Sequence, residues 1–111
     1  ALDTFPYSGG LTTCEALWMG VPTITCPDER FASRHSYSHL ANAGYPELVA
    51  RDLAAYVDLA VGLSQSLAAL DVMRQNMRRQ VSASPLCDGK QFAHDFEKAI
   101  LTLSNRPKAL A

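Results

Sequence analysis

The chain has 111 residues, enough for one domain and too few for two. Apolar side chains make up 48% and charged ones 19%, an ordinary globular balance that excludes a disordered tail. Ten Lys and Arg against eleven Asp and Glu leave a net charge of −1, without the basic excess that a nucleic-acid module needs.

The longest apolar stretch, 16–26, is broken by Gly20 and Pro22 and is too short to cross a bilayer. No basic segment followed by an apolar run opens the chain, so neither a secretory signal nor a membrane partner is expected. Cys14, Cys26 and Cys87 are odd in number and contain no CxxC, which points to no zinc ribbon or redox pair and to a reducing, cytoplasmic compartment.

Taken in chain order, Leu2–Phe5 reads as a short strand, closed by Pro6 and the turn-prone Ser8-Gly9-Gly10. An opening this abrupt leads us to expect a piece of a larger domain. Leu11–Met19 predicts a helix that stops at Gly20. Val21–Cys26, β-branched and apolar, predicts a buried strand, and Pro22 suits its first positions. A polar loop at Pro27-Asp28-Glu29 precedes a helix over Phe31–Ala43, ended by Gly44 and Pro46, and Leu48–Ala50 makes a brief third strand. This order is βαβαβ, a partial Rossmann-like α/β unit.

The remainder reads as helix. Asp52 caps a helix whose apolar positions include Leu53, Tyr56, Val57 and Ala60. Ser66 caps another with Leu70, Met73, Met77 and Val81 inward and Arg74, Arg78 and Arg79 outward. Ser84-Pro85 breaks the pattern. A last helix from about Lys90 carries Phe92, Phe96, Ala99, Ile100 and Leu103 on one face, and 105–111 is expected to be a flexible tail.

The segment Tyr7–Glu15 holds the chemistry. A glycine turn between strand and helix lets backbone approach a ligand, and the free N–H groups of Gly9 and Gly10 and the helix dipole favour an anion, above all a phosphate. Thr12 and Thr13 add hydroxyl donors. A second reading competes for the same side chains: Thr12-x-x-Glu15 is a capping box, in which Thr12 accepts from the Glu15 N–H and Glu15 reaches back.

Weaker candidates surround it. His35 and His39 stand at i, i+4, a metal-compatible spacing without a third ligand, and read as surface or packed histidines. Ser8 is not a nucleophile elbow. Asp28, Glu29 and Arg30 share the sheet edge with the turn, either lining the ligand cleft or as a solvated loop, Ser33 and Arg34 read as structural, Trp18 and Met19 as core, and His94 and the three arginines as solvated. No catalytic residue is identified.

The stretch Phe5–Pro22 closely resembles the donor-binding segment of the O-GlcNAc transferase and SPINDLY-like glycosyltransferases, family 41; Phe31–Arg34, Pro46–Ala50 and Ser84–Asp88 fall in register with it. The resemblance implies that residues 1–104 are the last part of the C-terminal, nucleotide-sugar-binding lobe of a two-lobed GT-B enzyme. Such an enzyme moves a sugar, N-acetylglucosamine from UDP or fucose from GDP, to Ser or Thr hydroxyls of a protein. It further implies that Gly10, Leu11 and Thr12 hold the nucleotide diphosphate and Glu15 the ribose hydroxyls, and that no metal is needed. Leu11 departs from the family, where a Thr is common, and so does Gly10, where animal members have His. The expected partners are a nucleotide sugar, an acceptor protein, the other lobe and the tetratricopeptide repeats. Alone the chain is expected to lack transferase activity and to self-associate through an open sheet edge or apolar face. A non-catalytic interaction module keeping the fold is the alternative.

Overall fold

Helices carry most of residues 1–105, the part of the chain that this computed structural model describes. Of the expected tail, 105–111, all but Asn105 lies outside the described residues. In chain order the α-helices are α1 (Leu11–Trp18), α2 (His35–Ala43), α3 (Leu53–Gln65), α4 (Leu67–Ser82) and α5 (Gly89–Ser104), with 3₁₀ turns at Phe31–Ser33, Pro46–Leu48 and Pro85–Cys87.

The expected βαβαβ sheet is not present. Among the described residues no segment forms a strand; extended pairing is reduced to two isolated parallel bridges, Leu2 with Ile24 and Thr25 with Val49. Ile24 exchanges bonds with the first segment (Asp3 N to Ile24 O, 2.9 Å; Ile24 N to Ala1 O, 3.0 Å), and Thr25 with the third (Thr25 N to Leu48 O, 3.1 Å; Ala50 N to Thr25 O, 2.8 Å). Pairing stops after one residue on each side because Pro6, Pro22 and Pro27 bracket the segments and offer no N–H, and the Pro46–Leu48 turn takes up the start of the third. The α/β expectation therefore gives way to a helical architecture around a three-segment seam.

The helices follow the sequence more closely, with two corrections. The single helix expected over Phe31–Ala43 is split at Arg34 into a 3₁₀ turn and α2. Ser66 stands at the α4 N-cap position without a side-chain cap bond, at a 95° bend between α3 and α4. Asp52 does cap α3, its Oδ1 accepting from Ala55 N at 2.8 Å; that bond is the main reason its carboxyl is held below the usual aspartate range. The end of α1 is set by Gly20, left-handed at φ 72°. Gly20 N donates to Leu17 O and Val21 N to Ala16 O, the paired bonds of a Schellman motif. A Cβ at Gly20 would also lie 2.8 Å from Arg74 O, so this residue sets the approach of α4 as well.

The core is formed by Leu17, Ile24, Leu40, Leu48, Met77 and Val81, with Ala43, Tyr45, Ala50 and Tyr56 around them. The inward positions read from α4 are thus confirmed at Met77 and Val81, while Leu70 and Met73 are half-buried. Trp18 and Met19 are exposed, contrary to the core expectation, and the Arg78 guanidinium lies 4.9 Å over the Trp18 ring. On α5 no residue is buried, and the side chains of Phe92, Phe96, Ile100 and Leu103 are all exposed. That projecting helix raises the radius of gyration to 16.9 Å, against roughly 13 Å for a compact chain of about this length. No single helix is long and apolar enough to cross a membrane among the described residues.

Met77→Ala should lower the unfolding free energy by about 2–5 kcal/mol, because its side chain is fully buried. The exposed Val72→Ala should cost less than about 0.5 kcal/mol, and urea midpoints compare the two.

Candidate functional site

The glycine turn is held from below by Asp3. This carboxylate is buried, and its two oxygens reach different segments: Oδ1 accepts from Gly9 N and Oδ2 from Thr25 Oγ1, both at 2.7 Å. Its carbonyl accepts from the Tyr56 hydroxyl at 2.7 Å, which brings α3 to the same point. A charge at this depth needs such donors.

The other side of the turn is fixed by hydroxyls. Ser8 Oγ accepts from His35 N at 3.0 Å and Ser36 N at 3.4 Å, so it caps α2 from a distant part of the chain; Ser8 N donates to Ala32 O at 2.9 Å. This bonding also explains the break at Arg34, since the first N–H groups of α2 point at Ser8. Ser36 Oγ donates to Gly9 O at 3.0 Å and lies 2.8 Å from Thr13 Oγ1. A Cβ on Gly9 would stand 2.5 Å from Thr13 Oγ1, so only glycine fits there.

These anchors decide where α1 begins. Gly10 is its N-cap, its carbonyl accepting from Thr13 N at 3.1 Å and Cys14 N at 3.4 Å. Thr12 therefore lies inside the first turn, no side chain caps the helix, and the capping box is not formed. The backbone N–H groups of Gly10, Leu11 and Thr12 have no partner among the described residues, and no carboxylate stands in the first turn. A Cβ on Gly10 would meet nothing within 4 Å. The result is an open, positively polarised helix end, a geometry suited to an anion.

The sequence candidates divide accordingly. Gly10, Leu11 and Thr12 line the open end, and Leu11 and Thr12 are exposed. Gly9 forms the turn with its N–H and carbonyl both engaged, and Thr13 is buried with its hydroxyl turned to Ser36. Glu15 is exposed, one turn along α1, at a cleft of about 330 Å³ shared with Leu11, Trp18, Val81 and Leu86. Cys14 and Cys87 line the same cleft; burial, and then its neighbour Cys87, push the Cys14 thiol up, away from a reactive thiolate.

The polar loop closes on itself. Asp28 Oδ1 accepts from Arg30 N at 2.6 Å and Ser33 Oγ at 2.5 Å, and Arg34 donates to Asp28 O at 2.9 Å, so Ser33 and Arg34 are structural as expected. The Ser33 bond chiefly holds the Asp28 carboxyl below its usual range. His35 packs between Tyr7 and Phe31, and no three His, Cys, Asp or Glu side chains converge on a metal-sized point among the described residues. The anchoring roles of Asp3, Ser8, Ser36 and Tyr56 are not legible in the sequence pattern. The signal at Asp3 was a carboxylate inside an apolar opening segment, a position that demands partners.

A family model described as Glycosyl transferase family 41 matches residues 1–96. The chain is similar to the probable UDP-N-acetylglucosamine–peptide N-acetylglucosaminyltransferase SPINDLY of Petunia hybrida, 41% identical over 106 residues, covering 96% of this chain and 11% of that protein. It is also similar to the UDP-N-acetylglucosamine–peptide N-acetylglucosaminyltransferase of Caenorhabditis elegans, 41% identical over 96 residues, covering 86% of this chain and 8% of that protein. Among solved structures, a variant of the Thermobaculum terrenum O-GlcNAc transferase superposes with a TM-score of 0.82 at 42% identity, over 90% of this chain and 19% of that one. The chain thus spans about a tenth of the length of these curated relatives.

Two outcomes test the scaffold. Gly9→Ala should destabilise the chain by about 1–3 kcal/mol through the Thr13 clash, read by thermal melting. Burial, and then His35, lower the pKa of His39 below its ordinary 6.5, with Asp3 opposing. Folding therefore favours its neutral form: that stabilisation is complete above 6.5 and is lost as pH falls through the depressed value. The urea midpoint should fall from neutral pH to about pH 5.5, and fall less in His39→Gln.

Proposed function

Because the chain belongs to glycosyltransferase family 41, we propose that it supplies the nucleotide-sugar grip of an enzyme that transfers N-acetylglucosamine from UDP to Ser or Thr hydroxyls of proteins. One observation carries this reading: the N–H groups of Gly10, Leu11 and Thr12 stand unpartnered at the mouth of α1, with the Glu15 carboxylate one turn away. The three amides and the helix dipole take the diphosphate, and Thr12 adds its hydroxyl. Glu15 accepts from the two ribose hydroxyls.

The same groups serve the chemistry. Attack of an acceptor hydroxyl on the anomeric carbon breaks its bond to the diphosphate oxygen, and negative charge grows on that leaving group. Fixed amides aimed at it stabilise the charge without rearranging, since Asp3 and Ser36 already hold the turn. No general base is assigned within this chain.

A second reading, an interaction module that keeps the fold without the donor site, draws on two observations. Leu11 brings no side-chain donor, and the Thr13 hydroxyl is engaged by Ser36. GDP-fucose is the other donor to test.

Titration of the chain with UDP and with GDP, followed by amide chemical shifts, separates these readings. Shifts centred on Gly9–Glu15, weakened about tenfold or more by Glu15→Ala, are expected for the donor site. Silence to both nucleotides at millimolar concentration would favour the module.

A further inference from the structure

Cys14 and Cys87 stand far apart along the chain and share no CxxC, yet they line one cleft. On α1 the residues that face it are Leu11, Cys14, Glu15 and Trp18, at positions i, i+3, i+4 and i+7. One helical face, with Cys14 near its middle, therefore looks toward the Pro85–Cys87 turn. That turn is held from two sides. Leu86 packs against the core, and Ser84 Oγ donates to Val81 O at 2.7 Å and accepts from Leu86 N at 3.3 Å. Cys87 N donates to Ser84 O at 3.0 Å. Cys87 is thereby presented, exposed, just beyond the end of α4, on a cleft of about 330 Å³ that it shares with the half-buried Cys14. The two thiols are close enough to interact: after burial, Cys87 is the next cause of the raised Cys14 thiol. Cys26 lies elsewhere, with Asp52 as its charged neighbour.

The two sulfurs differ in chemistry. Cys87 is open to solvent and to a small oxidant. Cys14 stays protonated at neutral pH and half covered, a poor target for an oxidant but placed to attack an oxidised sulfur beside it. Proximity offsets its low thiolate fraction, because the attack is intramolecular.

We propose that Cys14 and Cys87 form a peroxide-oxidised pair whose disulfide draws the Pro85–Cys87 turn onto α1 and closes the cleft in which Glu15 stands. The Cys87 thiolate first attacks hydrogen peroxide: an S–O bond forms, the O–O bond breaks and hydroxide leaves, giving the sulfenic acid of Cys87. The Cys14 sulfur then gives up its proton and attacks the Cys87 sulfur. The S–S bond forms, the S–O bond breaks and a second hydroxide departs. The two hydroxides take the two thiol protons, so two thiols and one peroxide become one disulfide and two waters. The pairing stands on the cleft alone. Its consequence for a ligand rests on the donor reading, since Glu15 follows Cys14 directly in α1 and lines the same cleft.

The test treats the reduced chain at micromolar concentration with hydrogen peroxide, blocks free thiols and maps the products by mass spectrometry. A Cys14–Cys87 link is expected in the wild type and in Cys26→Ser, and is lost in Cys87→Ser. Cys14→Ser should leave Cys87 as a sulfenic acid that dimedone labels at least about fivefold more than in the wild type. Absence of the link, or dimers joined through Cys87 in its place, overturns the pair. The oxidised and reduced chains are then titrated with UDP by amide shifts. Oxidation should weaken binding about fivefold or more, and dithiothreitol should restore it. A link that forms without changing UDP affinity overturns the closure of the cleft. If the reduced chain ignores UDP, the donor reading fails and the mapped link still decides the pair.

Discussion

The buried carboxylate of Asp3 is the constraint on which the arrangement depends. Its two oxygens and its carbonyl draw the glycine turn, the second extended segment and α3 to one place, through Gly9, Thr25 and Tyr56. Each donor satisfies part of a charge that would be costly to bury alone, so the three segments are held together by the same requirement. The seam of single parallel bridges would be weak by itself, because each outer segment contributes only one bridging residue. Asp3 and the hydroxyls of Ser8 and Ser36 replace the missing ladder with side-chain bonds.

From that arrangement the open end of α1 follows. Glycine turns often satisfy their own helix with a capping side chain. Here the turn is pulled downward by Asp3 and sideways by Ser36, which starts the helix at Leu11 and leaves Thr12 within it. The first amides of α1 thus face outward with no internal acceptor. That open mouth is the observation on which the proposed diphosphate grip rests.

Much of the helical layout was legible in the sequence. The span of α1 with Gly20 beyond it, the Asp52 cap and the buried positions of α4 all follow from local rules of periodicity and capping. The strands were not: Val21–Cys26 has strand composition, yet prolines and a 3₁₀ turn cut its partners to one residue each. Trp18 and Met19 look like core by type, but Leu17 takes the buried position and both residues after it are exposed, Trp18 beneath the Arg78 guanidinium. The Thr12–Glu15 box failed because two remote groups, Asp3 and Ser36, chose the start of the helix.

What the sequence alone determined was the family, the position of the glycine turn and most helix boundaries, since these depend on residues close together along the chain. Only the tertiary structure decided that Thr13 turns inward, that Ser8 caps a helix begun 27 residues later, and that three aromatic rings gather beside the turn. Those outcomes are set by hydrogen bonds and packing between distant segments, and their energies exist only once the chain has closed on itself.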